Sequence, residues 1–99
     1  RTRFIARKQS YHGNTLGSLG TGYHKTRRAM YEPLLAKNVS HVSPCYAYRD
    51  QKPGENDEAY VRRLADELEQ EFQAVGPGTV CAFIAETVSG TVCFFAQLL

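Results

Sequence analysis

Two short stretches of this sequence carry residue types that could hold and orient a ligand. In Ser10-Tyr11-His12-Gly13 an aromatic ring, an imidazole and a glycine stand together just after an apolar run, Phe4-Ile5-Ala6. A ring at such a place can stack on a flat cofactor, and a glycine beside it lets the backbone come close. Glu86 stands just after a second apolar run, Thr79 to Ala85. If the two runs are neighbouring strands, the carboxylate lies at the same sheet end as Tyr11 and can orient polar groups around one ligand. By spacing alone, a core aromatic and a surface acid are the competing reading. Other chemistries lack their patterns. His12, His24, His41 and Cys45 are metal-ligand types, yet no pair sits at a recognised ligand spacing, so no metal site is expected. A nucleophilic Cys with a His base requires only that both residue types occur, and so carries little information. There is no G-x-S-x-G and no Walker A pattern. Gly20-Thr21-Gly22 lacks both the third glycine of a dinucleotide fingerprint and the Lys-Ser/Thr ending of a phosphate loop.

The elements that must position these residues can be read from periodicity. The first apolar run turns polar at Arg7-Lys8-Gln9, as a strand does on leaving a core, and Ser10 to Asn14 supplies the break. Thr15 to Met30 reads as a helix weakened by Gly17, Gly20 and Gly22, each costing about 1 kcal/mol against alanine. Such a helix must be held by packing, the glycines permitting close backbone approach. Glu32-Pro33 is expected to end it. Val39 to Val42 alternates in strand fashion, and Ser43-Pro44 stops it, because proline cannot continue a ladder. Cys45 to Arg49 reads as aromatic and irregular, and Asp50 to Asn56 as a polar loop. The spacing predicts a helix from Asp57 to Val75, with Asn56 as N-cap, Asp57 and Glu58 in the first turn, and Gly76-Pro77-Gly78 as the stop. Val61, Leu64, Leu68, Phe72 and Val75 make its apolar stripe. Arg62, Arg63, Asp66, Glu67, Glu69, Gln70 and Glu71 read as its solvated face. Thr79 to Ala85 shows no alternation, which suits a strand covered on both faces. Strand, helix, strand, helix, strand predicts an α/β fold, a mostly parallel sheet with flanking helices, whose functional groups gather at the strands' carboxyl ends.

The 99 residues, 42% hydrophobic and 22% charged, suit one small globular unit and exclude an intrinsically disordered chain. No apolar run approaches the roughly 18 residues of a membrane span, so no membrane partner is expected. The net charge of +2 hides a split: residues 1–49 carry nine Lys or Arg and one acid, residues 50–99 three Lys or Arg and nine acids. The basic half raises an alternative, a small anion- or nucleic-acid-binding module built on Arg1, Arg3, Arg7, Lys8, Arg27 and Arg28. No nucleic-acid fold motif accompanies those residues, so no nucleic-acid partner is expected. Another alternative is a non-catalytic interaction remnant that pairs through an apolar end. Cys45, Cys81 and Cys93 form an odd set without C-x-x-C spacing, which favours reduced thiols over a disulfide framework. A cytoplasmic, or else mitochondrial, setting is expected. Asn38-Val39-Ser40 would be a glycan acceptor only in a secreted protein. Because the chain starts at Arg1, it reads as a processed product or a piece of something longer.

Whole stretches are more specific. FIARKQSYHGNTLGSLGTG (Phe4 to Gly22), HVSPCYAYR (His41 to Arg49), NDEAYVRRLADELEQEF (Asn56 to Phe72) and VCAFIAETVSGT (Val80 to Thr91) follow one another as in class III aminotransferases. The chain resembles a fragment of the large, cofactor-binding domain of these pyridoxal-phosphate enzymes of fold type I, over residues 1 to 91. The resemblance implies that Tyr11 stacks on the pyridine ring of the cofactor, with His12 and Gly13 beside it. It implies that Glu86, the acid of the family's E-x-V-x-G segment, helps fix the cofactor's surroundings. It further implies an amino donor and a 2-oxo acid as substrates, and a homodimer. Thr87 stands where many members have Pro, and Thr91 where the ornithine and γ-aminobutyrate branches have a second Glu, which argues against those substrates. The family's phosphate-holding Gly-Ser/Thr segment, the Asp that pairs the pyridine nitrogen and the Schiff-base Lys have no counterpart. The lysines are Lys8, Lys25, Lys37 and Lys52, none in the matching context, so no catalytic residue is assigned and the fragment is not expected to be competent alone. From Val92 to Leu99 the chain leaves the family pattern as a divergent apolar tail.

Overall fold

The computed structural model describes residues 1–89 and 95–96. A central strand β1 (Arg3–Arg7) is flanked by β2 (Val39–Val42) and β3 (Val80–Ile84) in a parallel sheet of order β2-β1-β3. Phe4 pairs with Val39 and Arg7 with Val42 on one side. On the other, Phe4 pairs with Ala82 and Ala6 with Ile84, after an irregularity between Arg3 and Phe4. The parallel α/β arrangement expected from the pattern of elements is the one observed. A short antiparallel pair, Val88–Ser89 with Phe95–Ala96, follows. Beyond the backbone of Phe95 and Ala96, the tail from Val92 to Leu99 lies outside the described residues.

The connection from β1 to β2 departs from the sequence reading. In place of one helix from Thr15 to Met30 there are α1 (Leu16–Thr21), α2 (Lys25–Arg28) and a 3-10 helix over Ala29–Leu34. The break falls at Gly22, whose backbone is extended at φ −71°, ψ 178°. A side chain there would meet Ser10 O at 3.0 Å and His12 N at 3.3 Å, so the glycine allows the chain to cross directly over the loop after β1. Close approach is not a property of all three glycines, since nothing lies within 4 Å of a Cβ at Gly17. Pro33 does not end the element; it sits inside the 3-10 helix. A one-turn helix, α3 (Ala47–Asp50), replaces the end of the stretch read as irregular, Cys45 to Arg49, and the first residue of the expected polar loop.

The connection from β2 to β3 follows expectation more closely. Helix α4 runs Asp57–Val75, and the Asn56 side chain accepts from the N–H of Ala59 at 2.8 Å as its cap. Leu68, Phe72 and Val75 pack against the buried Ile5, Val42 and Val80, joining helix to sheet. The helix is not solvated on all its polar positions. Glu67 Oε1 accepts from both the N–H and the hydroxyl of Ser43 at 3.0 Å, and Arg63 pairs with Glu55 at 3.0 Å. The one fully buried residue of α4 is Tyr60, outside the expected stripe. Its hydroxyl accepts from Tyr46 N at 3.1 Å, and burial pushes its phenol up from the ordinary value. Cys81 and Ala82 are exposed, so β3, one of the two outer strands, is not covered on both faces.

Tyr60→Ala is expected to destabilise the chain by about 3 to 5 kcal/mol, as deletion of a fully buried aromatic does. The exposed Gln70→Ala should stay within about 0.5 kcal/mol of the parent. Urea unfolding followed by circular dichroism measures both.

Candidate functional site

The site loop is shaped where β1 ends. Lys8 N–H still donates to Val42 O at 2.8 Å, extending the ladder, and then Gln9 turns into the left-handed region at φ 59°. A non-glycine residue there costs on the order of 1 kcal/mol and must be held by its surroundings. The buried Ser10 hydroxyl donates to Arg7 O at 2.6 Å, closing the turn, and Ser10 O accepts from Tyr23 N at 2.9 Å. Gly13 leaves the loop at φ 126°, with the position of a Cβ only 2.9 Å from that of Ser18. Only glycine fits both the dihedral and the space.

The two stretches singled out from sequence meet. The backbone N–H of Tyr11 donates to Glu86 Oε1 at 2.9 Å, across 75 residues of chain. That bond joins the loop after β1 to the end of β3, its hydrogen-bonded neighbour, so the carboxylate and the ring share one end of the sheet. Tyr11, His12, Gly13 and Glu86 are all half-buried. His12 Nε2 is buried with no hydrogen-bond partner among the described residues. On the face of the sheet toward α4, the guanidinium of Arg7 lies over the Phe83 ring at 5.5 Å. Burial pushes its pKa below the ordinary value, against the opposing fields of Cys45, Tyr60 and Glu86. Thr91 lies outside the described residues.

Three further residues support the loop, a role the sequence does not assign to them together. His41, in β2, places Nε2 at 2.9 Å from Thr21 O and 3.1 Å from Gly22 O. Both are acceptors, so Nε2 carries the proton and donates. Arg28, nearly buried, donates to Gly22 O at 2.6 Å, pairs with Glu32 at 2.6 Å and lies over Tyr23 at 4.6 Å. Gly22, gripped from both sides, presses on Ser10 and His12. Nothing local marks this set: the residues lie on three elements, and only the glycine-rich composition of residues 17–22 hinted at a close approach. Of the six basic residues of the alternative anion-binding module, Arg7 is half-buried and Arg28 buried. Among the described residues no three His, Cys, Asp or Glu side chains converge as a metal site would require, and no helix is long and apolar enough to cross a membrane.

Gly13→Ala should destabilise the chain by more than about 1 kcal/mol, measured by urea unfolding, because its dihedral and the Ser18 contact both oppose a Cβ. Burial, the largest influence, lowers the pKa of His41, with Arg28 adding to the effect and the hydrogen bonds from its own ring to the two carbonyls opposing it. The unfolded imidazole therefore takes up its proton first as pH falls. Stability is full above the unfolded value of about 6.5 and declines below it until the folded group titrates. Unfolding midpoints between pH 8 and 5 should show this decline, and His41→Gln should flatten it.

No protein-family model matches the chain. An uncharacterized aminotransferase of Schizosaccharomyces pombe is 56% identical over 90 residues, 91% of this chain and 20% of the relative. The mitochondrial gamma-aminobutyrate transaminase 1 of Oryza sativa subsp. japonica is 40% identical over 88 residues, 89% of this chain and 17% of the relative. Among solved structures, an omega transaminase from Pseudomonas jessenii in complex with PMP matches with a TM-score of 0.90 at 34% identity, over 96% of this chain and 21% of that one. A transaminase with L-ala gives a TM-score of 0.91 at 35% identity, covering 98% of this chain and 23% of its own. The chain spans about a fifth of the length of the relatives it matches. In both sequence and fold, some nine-tenths of the chain matches a segment of class III aminotransferases.

Proposed function

We propose that this chain supplies one wall of the pyridoxal-phosphate pocket of an aminotransferase, with Tyr11 as the ring that stacks on the cofactor. The observation that carries the reading is the 2.9 Å hydrogen bond from Tyr11 N–H to Glu86 Oε1. It ties the aromatic loop and the acid, the two features matched to the family, to one sheet end. The residues fit the group in that limited sense. Tyr11 is half-buried, Gly13 allows the loop its turn, and His12 Nε2 is a buried nitrogen with its hydrogen-bonding capacity unspent among the described residues. Glu86 holds the loop by a charge-assisted bond, of the kind worth about 1.5 to 3 kcal/mol. When bound, the cofactor supplies the carbonyl that accepts an amino group and the electron sink that makes its transfer feasible.

This chain does not complete that reaction by itself. Its four lysines, Lys8, Lys25, Lys37 and Lys52, are all exposed, and none stands where the family places the covalent one. The substrates of the intact enzyme are an amino donor and a 2-oxo acid, and the working unit is a homodimer. One matching relative is named as mitochondrial and another as chloroplastic, in keeping with a setting inside the cell.

Pyridoxal phosphate added to the chain should perturb the Tyr11 ring signals in a saturable way. Loss of stacking in Tyr11→Ala should weaken binding by about 1 kcal/mol, roughly fivefold in Kd. Equal affinity in Tyr11→Ala would remove the stacking role. Borohydride should leave no single lysine labelled in full, and an added amino donor should not be consumed. Full labelling of one lysine together with consumption of the donor would show that the chain is competent alone.

A further inference from the structure

Arg27 is a second neighbour of the site loop, and no carboxylate among the described residues holds it. Its guanidinium lies over the Tyr11 ring at 5.0 Å, and Nη1 donates to Asn14 Oδ1 at 3.2 Å. Both partners are neutral. Among the described residues Arg28, Arg62 and Arg63 each have an acidic partner, whereas Arg27, like Arg1, Arg3, Arg7 and Arg49, has none. The contact with the ring engages the cation without consuming its N–H donors, and a guanidinium carries five. Arg27 is therefore oriented by Tyr11 and Asn14, with donors left for a carboxylate, the anion whose shape its fork matches.

Arg27 and Asn14 also line a groove of about 470 Å³ whose other walls are Leu16, Leu19, Thr26, Met30 and Tyr31. Leu16, Met30 and Tyr31 are exposed. An apolar floor with one uncompensated cation, next to the proposed stacking ring, is complementary to a small molecule with one carboxylate and an apolar tail. It is not complementary to itself. A second copy laid symmetrically on this face would bring two Arg27 guanidinium groups into one seam, with no acid in either groove to offset their charge.

We propose that this groove binds an aliphatic or aromatic monocarboxylic acid, with Arg27 on the carboxylate and Leu16, Met30 and Tyr31 along the tail. That such an acid is the substrate of the neighbouring site rests on the function proposed above; its binding does not. The groove thus selects for an apolar side chain and against a positively charged ligand.

Met30 is the sole methionine of the sequence, so its methyl signal in a proton–carbon spectrum is an unambiguous reporter. Hexanoate titrated into the 99-residue chain, without pyridoxal phosphate, should shift the Met30 methyl and Tyr11 ring signals to saturation. Acetate should bind at least tenfold more weakly, and hexylamine should give no saturable shift. Arg27→Gln should weaken hexanoate binding at least tenfold, and Arg27→Lys should recover part of it. Asn14→Asp, which keeps the shape of the partner but neutralises Arg27, should weaken it as well, independently of any effect of Arg27→Gln on folding. Undiminished hexanoate binding in both Arg27→Gln and Asn14→Asp, or equal binding of hexylamine, would overturn the proposal. So would a Met30 signal that moves with protein concentration alone, which would identify a second copy as the occupant. Because no cofactor is present, failure here leaves the Tyr11 reading standing, and failure of cofactor binding leaves this one standing.

Discussion

One hydrogen bond, from the backbone of Tyr11 to the carboxylate of Glu86, organises the functional end of this chain. Its partners are far apart in sequence and close in space only because β1 and β3 lie side by side and parallel. In a parallel pair both strands end at the same edge, so the loops that follow them are brought together without either sequence encoding the other. The carboxylate can accept from the loop backbone, and a loop backbone freed from the ladder needs such an acceptor. The site is thus a consequence of strand order. Exchange of β1 and β2 in the sheet would leave every motif intact, yet it would put a strand between the loop after β1 and the end of β3.

The second constraint acts from the other side of the loop. The chain leaving α1 crosses over Ser10 and His12 at a distance only glycine permits, and Arg28 and His41 grip the carbonyl of that same Gly22. Arg28 is satisfied by Glu32 and Tyr23 as well, which offsets the cost of its burial. The loop bearing Tyr11 is accordingly clamped between a carboxylate from β3 and a backbone corner held by β2 and α2. Arg27, one residue from Arg28, points instead to Asn14 and the Tyr11 ring, and no described residue compensates its charge. Adjacent arginines therefore serve different ends, one structural and the other available to a ligand.

The division of charge between the two halves of the chain changes meaning in this light. Several acids of the second half do lie on exposed positions of α4, but Glu67 binds Ser43 at the end of β2 and Glu86 binds the site loop. On the basic side, Arg7 and Arg28 are drawn inward, so the first half does not present the exposed array that its composition implies. Net charge is a property of composition. A surface potential is a property of which charges remain outside, and packing decides that.

Elements whose signals are local were legible. The helix from Asp57 to Val75, its Asn56 cap and the strands around Ile5 and Val42 follow from periodicity and capping chemistry over a few residues. Tyr11, His12, Gly13 and Glu86 could be nominated because strand ends in a parallel sheet have a known use and because the stretches around them resemble one family. The break at Gly22 was not legible, since helix propensity counts a glycine as a cost and cannot say which backbone will pass beside it. Nor was the burial of Tyr60, which sits off the main stripe but against the loop from Pro44 to Tyr46. The amino acids alone determined the three strands of the sheet in order, the long helix before the last of them, the chemistry available at each strand end and the likeness to aminotransferases. Tertiary structure alone decided that Tyr11 and Glu86 are bonded, that Arg28 is buried and that Arg27 lies over the Tyr11 ring. These are contacts between residues on different elements, and their energies depend on distances that exist only once the sheet has formed.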